Sequence, residues 1–175
     1  MKLKNILVLL LTCICVSNAY AQKISKHYVS RPQENGTLYF ILPMELFEQK
    51  KNGALVMDFT SNNSQNETVI NYSATQPDII PIDSVIFTYG RERKAYATRK
   101  IFVEASKKED WLHRYTLTLP TEDVAEIFNP ANKNIAMSLI NNTGTPVVYK
   151  AKSSDWSSNT EIIQKILKMI RHNTD

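Results

Sequence analysis

Once its N-terminal leader is set aside, the chain has no cysteine, very little glycine and no apolar run long enough to cross a bilayer. Both cysteines, Cys13 and Cys15, fall inside the leader. The remainder has no disulfide, no thiol nucleophile and no thiolate metal ligand, so its stability must come from its core. The four glycines form no phosphate-cradling loop, and there is no Gly-x-Ser-x-Gly elbow. Nucleotide chemistry and the common serine-hydrolase arrangement therefore have nothing to start from. The three histidines, His27, His113 and His172, are far apart, and none has a second ligand type at metal spacing.

The leader has the three parts of an export signal. Lys2 and Lys4 precede an apolar run from Ile6 to Val16, and small polar residues then lead to Ala19-Tyr20-Ala21. This run of eleven residues falls well short of the roughly 20 a membrane-crossing helix needs. Leu10-Leu11-Thr12-Cys13 loosely resembles a lipobox, but cleavage there would leave Ile14 and Val16 behind in an unusually short signal. The reading is cleavage after Ala21 into the periplasm or medium, with Gln22 first and no lipid. The domain plan is a leader over 1–21, an extended lead over 22–36, and one β domain over 37–175 that includes a terminal helix over 160–172. Losing Lys2 and Lys4 leaves 19 basic against 17 acidic residues, a formal charge of +2. That balance gives no general pull toward nucleic acid, so the partners to expect are an envelope protein or a glycan.

The mature chain alternates apolar and polar residues in short runs broken by Gly, Pro, Asn and Asp, which is strand punctuation. Leu38, Phe40 and Leu42 share one face of the first run, and Leu55, Met57 and Phe59 one face of the second. In the third, either Val69 with Asn71 or Ile70 with Tyr72 can face inward. Val85, Phe87 and Tyr89 lead to Gly90 and a charged tip, Arg91-Glu92-Arg93-Lys94, before an extended return run from Ala95 to Glu104. This predicts a hairpin with a longer loop, and the phase change across Arg99-Lys100 predicts a bulge. His113, Tyr115, Leu117 and Leu119 alternate cleanly with Arg114, Thr116 and Thr118. Ile135, Met137 and Leu139 form a further strand, turned by Asn141 to Pro146 into Val147-Val148-Tyr149, with Gly144 supplying positive φ.

Short helices are predicted from Pro43 and over Glu122–Phe128, the latter with Thr121 as its cap. The long helical stripe is Ile162, Ile163, Ile166, Leu167 and Ile170, with Asn159 or Thr160 capping its start. Glu161 suits the positive end of its dipole, and Lys168, Arg171 and His172 suit the negative end. About eight strands and a one-sided helix point to a mainly β fold. The expectation is an antiparallel β-sandwich or open barrel with the C-terminal amphipathic α-helix packed on it.

The best candidate contact surface is the charged tip with its flanking tyrosines: Tyr89, Arg91, Arg93, Lys94 and Tyr96. Arginine and tyrosine are enriched at binding hot spots, although a solvated hairpin tip also reads this way. His113, near Tyr115, Glu109 and Asp110, reads as a histidine packed on aromatics. The rival is the base of a small secreted hydrolase whose site is assembled from separate strands. Trp111 and Trp156 are either stacking platforms for a glycan or lids on the core. Glu109-Asp110 and Glu122-Asp123 are adjacent in sequence, unlike carboxylates that face each other across a cleft. Asp83-Ser84-Val85 resembles an acceptor sequence for periplasmic O-glycosylation. No catalytic, cofactor or metal site is expected, and the residues point to an exported non-catalytic binding or interaction module.

Overall fold

The computed structural model describes residues 24–50, 53–106, 110–132, 134–141 and 145–172. The leader, Glu109 and Gly144 lie outside them. Among the described residues ten strands form one sheet, all of whose neighbours are antiparallel: β1 (Tyr28–Gln33), β2 (Gly36–Gln49), β3 (Gly53–Asn62), β4 (Glu67–Gln76), β5 (Ile82–Tyr89), β6 (Glu92–Ala97), β7 (Arg99–Ala105), β8 (Trp111–Pro120), β9 (Ala136–Asn141) and β10 (Val147–Ala151). The order is β6-β5-β9-β10-β2-β3-β4-β8-β7, with β1 added on β2. The sheet curls into a nearly closed barrel, on which helices α1 (Thr121–Ile127) and α2 (Trp156–His172) pack.

Closure depends on one stretch of chain. β6 and β7 are the two ends of the sheet, yet only Thr98 separates them, so the run from Glu92 to Ala105 pairs first with β5 and then with β8. Thr98 stitches the change of partner: its N–H donates to the Asp83 carbonyl at 2.9 Å and its hydroxyl to the Ile82 carbonyl at 2.8 Å. Across the seam the Ile82 N–H donates to the Tyr115 hydroxyl on β8 at 3.1 Å. The register slips between Lys100 and Phe102, a bulge at the phase change seen in the sequence.

Inward rows cross the wall as the pleat requires, for example Ile41–Phe59–Ile70–Leu117 over β2, β3, β4 and β8, and Phe87–Met137–Tyr149 over β5, β9 and β10. The third run faces inward with Ile70 and Tyr72. In the first half of β2 the inward residues are Tyr39 and Ile41, and Leu38, Phe40 and Leu42 form the outer set, with Leu42 39% exposed. Both faces of this strand are apolar, so alternation alone does not reveal which one is inside.

Pro43 starts no helix. It lies within β2 at the register shift between Ile41 and Met44, where the strand leaves β1 before it meets β10 at Phe47 and Glu48. A residue without an N–H fits a bulge between two partners. Thr121 is likewise not a cap but the first residue of α1, its buried hydroxyl 3.0 Å from that of Thr68. The open C-terminal carbonyls of α1 are met from a distance: Gln164 donates to the Ala125 and Phe128 carbonyls at 2.7 and 3.0 Å, and Asn132 to those of Glu126 and Ile127.

The terminal helix starts one turn before its predicted limit. Asn159 and Thr160 are therefore inside it, and Thr160 bonds back to the Trp156 carbonyl at 2.6 Å. Its first turn holds no acid, and Glu161 instead reaches Lys165 at 3.7 Å. Trp156, Ile163, Ile166, Leu167 and Ile170 are buried, and Ile162 is half-buried. Trp156 joins a cluster of rings around Phe128, which touches Phe47, Phe59, Phe87 and Trp156 with centroids 5.1 to 6.4 Å apart.

Candidate functional site

The turn between β5 and β6 is tighter than the sequence suggests. Tyr89 pairs with Glu92, so only Gly90 and Arg91 turn the chain, with Gly90 at φ +58°. Glu92, Arg93 and Lys94 are strand residues rather than a loop, and the pleat divides the five candidates. Lys94 and Tyr96 face α1, whereas Arg93, Ala95, Ala97 and Arg99 form an exposed outer row, with Arg91 exposed at the turn. At about 3.3 Å per residue the two ends of that row stand roughly 20 Å apart, with only methyl groups between them.

The inner side is an ion-paired cluster. Lys94 Nζ donates to Asp123 Oδ1 at 2.6 Å and to Glu126 Oε2 at 2.5 Å, and the Tyr96 hydroxyl donates to Asp123 Oδ2 at 2.8 Å. These bonds to the carboxylates, that to Asp123 above all, hold the Lys94 ammonium well above its ordinary range. Lys94 in turn holds the Asp123 and Glu126 carboxyls below theirs. Burial, followed by the acceptor Asp123, raises the Tyr96 phenol, and burial raises that of Tyr89. All the shifts lead away from neutrality, so the cluster is arranged to stay charged and bonded rather than to move a proton near pH 7. It fastens α1 to the barrel-closing strand.

His113 is fully enclosed. Its Nε2 lies 3.0 Å from the Asp78 carbonyl, Nδ1 is buried without a hydrogen bond, and the ring stacks on Tyr115, which stacks on Tyr72. Burial pulls its pKa below the ordinary histidine value. The bond to Asp78 ties the Pro77–Pro81 segment to the inner side of β8. Trp156 is enclosed in the core and Trp111 is half-buried at the start of β8. Ser84 is half-buried on the outer face of β5, opposite Ala97 and Ile140.

Outside the barrel, Arg114 on β8 donates to Asp58 at 2.6 Å and to Ser73 at 2.9 Å, and Asn71 donates to Asp58 at 2.7 Å. This ladder locks β3, β4 and β8 in register. Among the clefts lined by described residues are two at the ends of strands. One of ≈ 470 Å³ lies between the β3–β4 turn and the start of α1, lined by Asn66, Thr121 and Glu122 among others. The other, of ≈ 710 Å³, is lined by Glu48, Lys50, Val148, Lys150 and Lys152. Lys152 is committed to Glu45 and Asp155. Among the described residues no group of three or more His, Cys, Asp and Glu side chains could hold a metal ion, and no helix is long and apolar enough to cross a membrane.

Sequence reasoning missed Arg99 and Lys100 as companions of Arg91 and Arg93, because it placed them on a return strand beyond a loop. The signal that could have found Arg99 was the period of two from Arg93; Lys100 is out of that phase, on the side of its register partner Tyr115. No family model matches the chain, and no curated protein or solved structure matches it.

Proposed function

We propose that this chain is an exported, non-catalytic binding module that engages an anionic partner, a protein or a glycan of the cell envelope, through the outer side of its barrel-closing strand. The observation that carries the reading is the charge on that strand. Arg91, Arg93 and Arg99 are exposed and have no ion pair among the described residues, whereas Lys94, on the inner side of the same run, has two. Arginines spaced along a flat row of alanines present guanidinium groups that pair with carboxylate, sulfate or phosphate. Export rests on the leader in the sequence. The hydrolase alternative draws no support from His113, whose ring is enclosed and whose Nε2 meets a backbone carbonyl.

Retention on immobilised heparin and on immobilised poly-glutamate tests this reading. The triple variant Arg91→Glu, Arg93→Glu, Arg99→Glu should elute at much lower salt than the parent chain. A variant with the same charge change elsewhere, Lys26→Glu, Lys50→Glu, Lys168→Glu, should elute clearly later than the triple arginine variant. Equal elution of the two variants would reduce the effect to net charge and overturn the assignment.

A further inference from the structure

We propose that the outer edge of β7 receives an extended segment of another polypeptide as an added strand, with carboxylates at the Arg99–Lys100 end. This rests on the basic-strand reading above and names its partner. The edge is open because of how the barrel closes. The Ser106 N–H donates to the Asp110 carbonyl at 2.8 Å, so Glu104 and Phe102, in phase with it, turn their backbone groups toward β8. Val103 and Ala105 therefore turn their N–H and C=O groups away from β8, and no strand among the described residues takes them.

β5 would be the natural neighbour, but its ladder stops. Ser84 pairs with Ala97 and the Asp83 carbonyl takes the Thr98 N–H; one step further back stands Pro81, which has no N–H to give. The chain then leaves the wall, since the Asp78 carbonyl is held by His113 on the inner side of β8. No described strand pairs with β7 on the side away from β8. The bulge residue Ile101 is 47% exposed and Ile79, in the departing segment, 56% exposed, two large apolar side chains of the kind a bound strand would cover.

Strand addition draws its affinity from main-chain hydrogen bonds and its specificity from alternate side chains. Here the side-chain code is polar in one direction. Arg99 and Lys100, exposed and without ion pairs among the described residues, stand at one end, and Glu104 stands at the other. A matching segment places acidic residues against the first end, an apolar residue against Ile101 and no acid against Glu104. An anionic polysaccharide could meet the arginines but has no backbone to pair the N–H and C=O groups of Val103 and Ala105 as a strand ladder does.

The full mature chain is titrated with a fluorescein-labelled decapeptide in which glutamate alternates with valine in one half and threonine with valine in the other. A lysine-for-glutamate counterpart serves as control. Fluorescence anisotropy should show the glutamate peptide binding at least tenfold more tightly than the lysine peptide. Hydrogen exchange should slow at the Val103 and Ala105 amides on binding. Ala105→Pro, which removes one of those donors, should abolish the preference. Should that variant fail to fold, protection of the Val103 and Ala105 amides on binding decides the added strand, and Arg99→Glu with Lys100→Glu should invert the charge preference. Binding that leaves both amides unprotected overturns the added strand and keeps the basic surface. Retention of heparin through Arg91 and Arg93 with no peptide binding does the same. If neither heparin nor the peptide depends on the arginines, both readings fall.

Discussion

Tyr115→Phe removes a single oxygen from the seam of the barrel. The Tyr115 hydroxyl accepts the Ile82 N–H at 3.1 Å, while its ring stacks on Tyr72 and His113 at 5.8 and 6.4 Å. The substitution keeps the stack and the packing volume but leaves a buried backbone donor without a partner. An orphaned buried donor costs about 1–3 kcal/mol. For a chain of this size 1 kcal/mol corresponds to about 2–4 °C, so the melting midpoint should fall by about 2–12 °C. Urea unfolding followed by circular dichroism gives the free energy directly, and an unchanged m-value would show that the denatured state is unaltered. Thr98→Val deletes the other side-chain bond to Ile82, at 2.8 Å, so the two losses should be coupled rather than additive. A Tyr115→Phe protein within about 0.5 kcal/mol of the parent, a margin ordinary for harmless substitutions, would show that the hydroxyl does not hold the seam.

Phe128→Ala should cost about 3–5 kcal/mol in denaturant unfolding, because one ring touches Phe47, Phe59, Phe87 and Trp156; Phe128→Leu should cost markedly less. Ending the chain before Trp156 removes five buried apolar side chains worth about 1.5–3 kcal/mol each, against a typical total stability of about 5–15 kcal/mol. That truncated protein should lose cooperative melting, and a midpoint equal to the full chain's would detach α2 from the fold. His113 is held neutral by burial, so the unfolded chain binds a proton first as pH falls. Stability should therefore drop from about pH 6.5 downward, with a residual slope from His27, whose pKa burial also lowers. In melts at pH 7.5 and pH 5, chosen to span about a unit or more on either side of that value, His113→Phe should flatten the change.

The runs that read correctly share one property. Leu55, Met57 and Phe59, or Met137 and Leu139 with Ile135 just before them, belong to strands with an apolar inner face and a more polar outer one, so the period of two also fixes which side is in. β2 lacks that contrast. Its outer residues Leu38 and Phe40 are half covered by β1, whose Arg31 lies 5.8 Å from the Phe40 ring, and apolar residues are tolerated on both faces. Pro43 failed for a related reason. Proline suits the first turn of a helix and a break in a strand equally well, and only the identity of the neighbours, β1 before it and β10 after, decides between them. The early start of α2 turns on Trp156, whose indole is apolar enough to enter the ring cluster although it follows a polar loop.

The candidate site was half legible for a sharper reason. Four charged residues after a glycine look like a solvated tip, and nothing local shows that two acids about thirty positions later will meet one of them. Once Lys94 is turned toward Asp123 and Glu126, the pleat forces Arg93 and Ala95 to the other side. The barrel-closing strand thus separates two jobs by parity. Lys94, Tyr96 and Thr98 bond to α1 and β5 and hold the fold, while Arg93, Ala95, Ala97 and Arg99 face solvent. Substitutions along it should therefore alternate in kind. Lys94→Met, Tyr96→Phe and Thr98→Val should lower the melting midpoint; Lys94→Met should shift heparin elution no more than loss of any one exposed lysine, and the other two not at all. Arg93→Glu, Ala97→Asp and Arg99→Glu should weaken heparin retention at an unchanged midpoint. A scan of these positions that shows both effects at every residue, or neither pattern, would mean that the strand's two faces do not divide the work, and the outer row would lose its claim to be the binding surface.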